Sequence, residues 1–246
     1  MTVPGLHASS FDAWCSHLVY ETTALCTGAG LTLGWGLRTQ GGRNIPMTGP
    51  ALVVANHQSF LDPILIGLAT RRHLCFLARK TLFRHFGLSW LIRMLNAVPI
   101  DQEGVAKEGL RIVLRELEHG QAVVMFPEGH RTRTGAMQPL LPGISLLIKR
   151  SLAPIVPVGI AGAFEAWPTG QPCPKPAPLF LPAARGSIAV SVGKPLDARR
   201  LATMTREQSL NELHQAIEVE TQRAERVRRK PRDVAYSPIW KSSRSA

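Results

Sequence analysis

Apolar residues along this chain fall into short unbroken runs separated by longer amphipathic stretches. Residues 52–55 (Leu-Val-Val-Ala) form a run too short for a helix. Residues 63–70 have helical spacing, 74–78 are apolar again, and 82–95 return to helical spacing. Residues 97–100 read as extended. Residues 105–118 give the clearest amphipathic helix, with Leu110, Val113, Leu114 and Leu117 on one side. Residues 121–126 read as a buried strand, 144–152 as a helix and 154–160 as extended. This alternation predicts βαβ units, and hence an α/β fold with a mainly parallel or mixed central sheet flanked by helices. Sheets of this kind carry their chemistry in loops at the carboxyl ends of the strands.

The flanking regions read differently. Residues 11–37 predict one or two weakly amphipathic helices, anchored by Phe11, Trp14, Leu18, Tyr20, Leu25, Leu33 and Trp35. Residues 41–50 are glycine- and proline-rich loop chemistry. Beyond Gly162 a proline-rich stretch, from Pro168 to Pro182, predicts an irregular covering loop. Residues 187–192 alternate as a strand does, and 205–229 form a long charged helix. Residues 231–246 are a basic tail, expected to be disordered, with Trp240 as a candidate interfacial anchor.

Composition narrows the partners. With 45% hydrophobic and 19% charged residues in 246, the chain can build a core and is not disordered throughout. Lys plus Arg number 29 against 17 Asp plus Glu, a net charge of +12, which favours a polyanionic partner: nucleic acid, anionic lipid or a phosphorylated substrate. The four cysteines form no C-x-x-C pair, against a zinc ribbon or a thioredoxin-like site, and point to a reducing, cytosol-facing compartment. The uncharged run from Thr22 to Leu37 is 16 residues long and holds four glycines, short of the ~20 apolar residues a span requires. Asp12 and Glu21 precede its apolar part and no Lys or Arg occurs before Arg38, so neither a cleaved secretory signal nor a span is expected. A segment lying at the membrane surface stays open.

Four segments, each at a predicted strand end, carry candidate chemistry. The first is Asn56-His57-Gln58-Ser59-Phe60-Leu61-Asp62-Pro63. On a regular helix His57 and Asp62 would lie about 140° apart, at ~100° per residue, so they do not share a helical face. A turn at the helix entrance can fold Asp62 back onto the imidazole. A carboxylate on one ring nitrogen fixes the tautomer and leaves the other to take a proton, which makes a general base. The blander reading is Asp62 as an N-cap with Pro63 at N1, Ser59 helping as in a capping box, and His57 as an ordinary strand-end residue. The second segment, Ala97 to Gly104, ends in Asp101, Gln102 and Glu103; these equally suit a helix N-terminus. The third is Phe126-Pro127-Glu128-Gly129-His130-Arg131, where Gly129 permits close backbone approach and Arg131 offers a bidentate grip on phosphate. Alone, it also reads as a solvated basic turn. The fourth, Val156-Pro157-Val158, reads as core.

In this order the four segments resemble the glycerolipid acyltransferase family typified by lysophosphatidate acyltransferases. His57 and Asp62 match its H-x4-D block. Phe126, Pro127, Glu128, Gly129 and Arg131 match its F-P-E-G-x-R block, and Val156 to Val158 match its late V-P-V block. The resemblance covers about residues 48–195. It implies acyl transfer from acyl-CoA or acyl carrier protein, as co-substrate, to a free hydroxyl of a lysophospholipid, foremost 1-acylglycerol-3-phosphate. It implies His57 as base and Asp62 as its orienting acid, with no metal and no bound cofactor. Substrate-facing residues are expected at Asn56, Ser59, Asp101, Gln102, Glu128, Gly129 and Arg131. Gln102 stands where the family usually has a phosphate-binding arginine, so Arg79, Lys80, Lys107 and Arg111 are candidate replacements, and another lysolipid or aminolipid acceptor stays open. His130 stands where the family commonly has Thr or Ser.

The expected organisation is an N-terminal membrane-associating segment (1–45), an acyltransferase domain (46–200), a C-terminal helix (201–230) and the tail (231–246). Residues 82–93 mix large apolar groups with Arg84 and Arg93, as an interfacial helix does. Lipid partners, an anionic bilayer surface and a peripheral or monotopic location on a cytoplasmic face follow. The rival from charge alone is a nucleic-acid-binding protein. Aromatics are only 6%, and neither an RRM-like motif nor a zinc-finger spacing occurs, so no nucleic-acid partner is expected. A serine nucleophile elbow and a P-loop are likewise missing.

Overall fold

The computed structural model describes residues 10–79, 97–100, 105–182 and 185–229. The expected interfacial helix at 82–93 and the basic tail lie outside them. In chain order the elements are α1 (Ser10–Trp35), β1 (Arg38–Gln40), β2 (Ala51–Ala55), α2 (Asp62–Leu68), β3 (Cys75–Arg79), β4 (Ala97–Ile100) and α3 (Val105–Glu118). Then come β5 (Ala122–Met125), α4 (Gly143–Ser151), β6 (Ile155–Ala161), α5 (Ala163–Ala166), β7 (Ala189–Val192), α6 (Ala198–Thr203) and α7 (Arg206–Val227). The strands make one seven-stranded sheet in the order β1-β7-β6-β2-β5-β3-β4. All neighbours are parallel except β6 and β7, so the sheet is mixed and mainly parallel, as the alternation predicts.

The period-2 pleat explains why these strands read as continuous apolar runs. Ala51, Val53 and Ala55 of β2 face one side with Val124, Val156 and Val158, against Leu31 of α1 and Leu65 and Ile66 of α2. Leu52 and Val54 face the other with Val123 and Ile155, against Val113 of α3, Leu147 of α4, and Leu213 and Ile217 of α7. Both faces of the sheet are covered, so alternate positions need not become polar. α7 begins with a capping box in which Thr205 and Gln208 satisfy each other's backbone amides. Its close approach to β6 depends on Gly159, where a Cβ would come within 2.0 Å of the Glu220 and Thr221 backbone.

β1 is absent from the sequence reading because Arg-Thr-Gln has no apolar signal; it is an exposed three-residue edge strand. The short α5 and α6 are likewise absent from that reading, too brief for periodicity to register. Among the described residues no helix is long and apolar enough to cross a membrane.

Candidate active site

β2, β5 and β6 end side by side, and the residues that follow them form the site. Asn56 leaves β2 and reaches across to β6. Its Nδ2 donates to the Ile160 carbonyl at 2.9 Å and its Oδ1 accepts from the Ile160 amide at 2.8 Å. It is 2% exposed, so this side chain extends the sheet rather than facing a substrate.

His57 follows, before the helix begins. Its Nδ1 lies 2.8 Å from Asp62 Oδ2. The same oxygen accepts from the Gln58 amide at 2.6 Å and the Ser59 amide at 2.8 Å. Asp62 is the first residue of α2, and Leu61 holds the N-cap position with no side-chain cap. The N-cap reading is therefore corrected: the carboxylate reaches backward over the turn, since that turn's two free amides and the imidazole all point at one oxygen. Asp62 is fully buried while the His57 side chain is 19% exposed. The imidazole also stacks on Phe126, ring centroids 4.0 Å apart and 16° from parallel. Hydrogen bond and stack together fix the ring, and Nε2 has no hydrogen-bond partner among the described residues. Ser59, fully buried, donates from Oγ to the Trp167 carbonyl at 3.0 Å and is also turned inward.

The loop after β5 holds this turn from the other side. Glu128, 1% exposed, accepts at Oε1 from the His57 amide and at Oε2 from the Gln138 amide, both at 2.7 Å. The Thr132 amide donates to the His57 carbonyl at 2.8 Å. His57 is thus gripped at both backbone polar groups by the loop that carries the second motif. Burial pushes the Glu128 carboxyl above the usual carboxylate range, though the Gln138 and His57 amides pull it back down. With both oxygens committed inward, Glu128 braces the site and does not itself reach a head group. Gly129 turns the chain at φ 75°, where a Cβ would meet Leu141 at 2.4 Å. His130 folds over this turn, Nδ1 2.9 Å from the Glu128 carbonyl.

Arg131 is half-buried, with its Nη1 shielded from solvent. Its guanidinium carbon sits 3.4 Å from the centroid of the Phe60 ring, which in turn packs against Trp167 at 5.5 Å. Phe60 is 46% exposed, so the Arg131–Phe60 stack lies at the rim beside His57. An open groove of about 620 Å³ lies behind Gln58, but Glu165, Glu218 and Glu225 line it and His57 does not. Its carboxylates make it a poor seat for a phosphate.

The other expected residues divide. Arg79 ends β3, three residues past the Phe76–Val124 register pair, and so lies at the same sheet edge. Lys80, Asp101 and Gln102 fall outside the described residues. Arg111 is exposed on α3. The sequence reading misses Phe126 as a ring platform and Phe60 as the partner of Arg131, although both lie inside the motifs. Phe60, three residues after His57, is the one that proximity in sequence could have flagged; nothing in the spacing points to Phe126.

A family model described as "Acyltransferase" matches residues 36–161, more than half of the 246-residue chain, and the chain belongs to that family. Among its relatives is the 1-acyl-sn-glycerol-3-phosphate acyltransferase of Bacillus subtilis, 23% identical over 188 residues, covering 76% of this chain and 87% of that one. The Streptococcus pneumoniae protein of the same name is 26% identical over 192 residues, covering 77% of this chain and 66% of that one. The crystal structure of the 1-acyl-sn-glycerophosphate acyltransferase PlsC from Thermotoga maritima superposes with a TM-score of 0.68 at 26% identity, over 90% of this chain and 83% of that one. The chain is an enzyme of this glycerolipid acyltransferase type.

Proposed function

We propose that the enzyme transfers a fatty acyl group from a thioester, acyl-CoA or acyl carrier protein, to the free hydroxyl of 1-acylglycerol-3-phosphate, giving phosphatidate. The observation that carries this reading is the His57 ring: its Nδ1 is tied to a buried carboxylate and its Nε2 has no partner among the described residues. Nε2 takes the hydroxyl proton as the acceptor oxygen attacks the thioester carbonyl. The imidazolium that forms is stabilised by Asp62. When the tetrahedral intermediate collapses, the carbon–sulfur bond breaks and His57 returns the proton to the departing thiolate. A positioned general base of this kind is typically worth ~10²–10⁴ in rate.

Arg131 supports a phosphate-bearing acceptor, since its guanidinium is fixed on Phe60 at the rim and a planar fork suits phosphate. Gln102, in place of the expected arginine, favours a second reading in which the acceptor is another lysolipid or an aminolipid. A panel decides: purified enzyme with either donor, offered lysophosphatidate, uncharged monoacylglycerol and lysolipids with other head groups. Phosphatidate formation by wild type, with a loss of at least about 10² in turnover in His57→Ala, is the expected result. Undiminished turnover in His57→Ala overturns the base. Equal activity on monoacylglycerol removes the phosphate role of Arg131. Because both acceptor and product are lipids, the enzyme is expected to work as a peripheral or monotopic protein at the cytoplasmic face of a membrane.

A further inference from the structure

From Asn56 to Asp62 the chain is buried except at two places, the half-buried His57 and the exposed Phe60. A large aromatic left outside on an otherwise buried turn has a reason, and its contacts supply one. The guanidinium carbon of Arg131 lies 3.4 Å from the centre of the Phe60 ring, and the Trp167 ring packs against Phe60 at 5.5 Å, tilted by 52°. Trp167 is itself fixed: its Nε1 donates to the Gln171 carbonyl at 2.9 Å. It lies outside the four motif segments and beyond residues 36–161, which the family model matches.

Hydrogen bonds tie this aromatic pair and the guanidinium to the base. Ser59 Oγ donates to the Trp167 carbonyl at 3.0 Å, Thr169 Oγ1 to the Thr132 carbonyl at 3.3 Å, and the Thr132 amide to the His57 carbonyl at 2.8 Å. The turn that carries His57, the loop that carries Arg131 and residues 167–169 are thus joined pairwise, and the Phe60–Arg131 stack spans the turn and the loop. Thr132 Oγ1 also accepts from the Thr134 and Gly135 amides, at 3.2 and 3.1 Å, which stiffens the chain next to Arg131. The acids of the two segments, Asp62 and Glu128, are buried and directed at the imidazole and at backbone amides. An aromatic ring covers the face of a guanidinium, whereas its N–H donors point along the plane, where a phosphate meets them. Stacking therefore orients the fork without competing for its anion, and a lysine has no plane to be held in this way.

We infer that Phe60, supported by Trp167, is a positioning residue for the acceptor: it holds the Arg131 fork at a set distance and angle from His57, so that a phosphate seated on the fork brings the acceptor hydroxyl to the base. This rests on the reading of the acceptor as phosphate-bearing and adds to it the group that sets the spacing between anion and base. The test reads binding and turnover separately, with full-length protein and a short-chain lysophosphatidate that stays monomeric. Its Kd is measured by calorimetry without acyl donor, its KM and kcat with saturating donor, and urea denaturation confirms that each variant is folded. Phe60→Leu weakens binding about tenfold and raises the acceptor KM alike, with kcat within about threefold of wild type. Phe60→Trp, which restores a face for the cation, stays within about threefold of wild type in Kd and KM. Arg131→Lys also binds weakly, and adding Phe60→Leu to it weakens binding by less than about twofold more, since the ring no longer has a guanidinium to orient. Phe60→Leu that lowers kcat while binding as wild type does overturns the inference, because Phe60 then only supports the turn of the base. So does a double variant whose loss is the product of the two single losses, or a Phe60→Trp as weak as Phe60→Leu. Wild type that binds no lysophosphatidate, or Arg131→Lys that binds it as wild type does, refutes the phosphate reading, and the inference falls with it. Weak binding by Arg131→Lys beside normal binding by Phe60→Leu refutes the inference alone.

Discussion

Asp62→Asn separates the two jobs that the proposed mechanism gives Asp62. Its Oδ2 accepts from His57 Nδ1 at 2.8 Å and from the amides of Gln58 and Ser59 at 2.6 and 2.8 Å. An asparagine that places its carbonyl oxygen there keeps all three acceptor positions and loses only the charge. Its NH2 then occupies the place of Oδ1, which is buried with no partner. Leaving a buried polar group unpaired costs about 1–3 kcal/mol, so a modest fall in stability is expected. The catalytic loss is larger. Without a carboxylate the imidazolium is no longer stabilised as it forms, and the contribution of the base, ~10²–10⁴, or about 3–5 kcal/mol, largely disappears from kcat. KM for the acceptor should stay within about threefold of wild type, because Asp62 touches no substrate. Asp62→Ala is the confounded variant: it strands two buried amides, at about 2–6 kcal/mol together, a large share of a typical 5–15 kcal/mol. The assay is steady-state kcat and KM under saturating donor, paired with urea denaturation of the same preparations. If folded Asp62→Asn retains kcat within about threefold of wild type, the acid only shapes the turn and the orienting role is wrong.

Two further outcomes follow from buried groups. The raised carboxyl of Glu128 makes the folded protein bind a proton more readily than the unfolded chain, so its contribution to stability falls as pH rises from the ordinary carboxylate range through the folded value. Stability of wild type minus that of Glu128→Gln, measured by denaturation from about pH 4 to 7, should therefore decline with pH; a flat difference contradicts the assignment. Cys75 is buried with its thiol pushed up to about 12, chiefly by burial and by Glu116, whereas Cys26 and Cys173 are exposed. A thiol reagent at neutral pH should spare Cys75 until the protein is denatured, and mass spectrometry of the labelled peptides reads this directly.

The parts of this fold that were legible in the sequence are those whose cause is local. Strands buried on both faces show as bare apolar runs, and α3 announces itself by one apolar stripe. The turn that brings Asp62 to His57 was legible because five residues bracket it and a regular helix would keep the two apart. What was not legible depends on distant partners. Asn56 reads as a substrate group until Ile160, 104 positions later, is seen to take both ends of its amide. Glu128 reads as a head-group ligand until its oxygens are found on the amides of His57 and Gln138. A side chain that completes main-chain hydrogen bonding across strands leaves no trace in spacing. β1 was hidden for the opposite reason, as a polar edge strand defined only by its neighbour.

The main chain at position 57 is gripped by the Glu128 carboxylate and the Thr132 amide, independently of the ring. Removing the imidazole therefore leaves that main-chain grip in place, and Asp62 keeps the Gln58 and Ser59 amides. A chain altered only at that side chain should stay folded yet chemically silent, and so should hold fatty donor and recipient together long enough to be captured as an unreacted assembly.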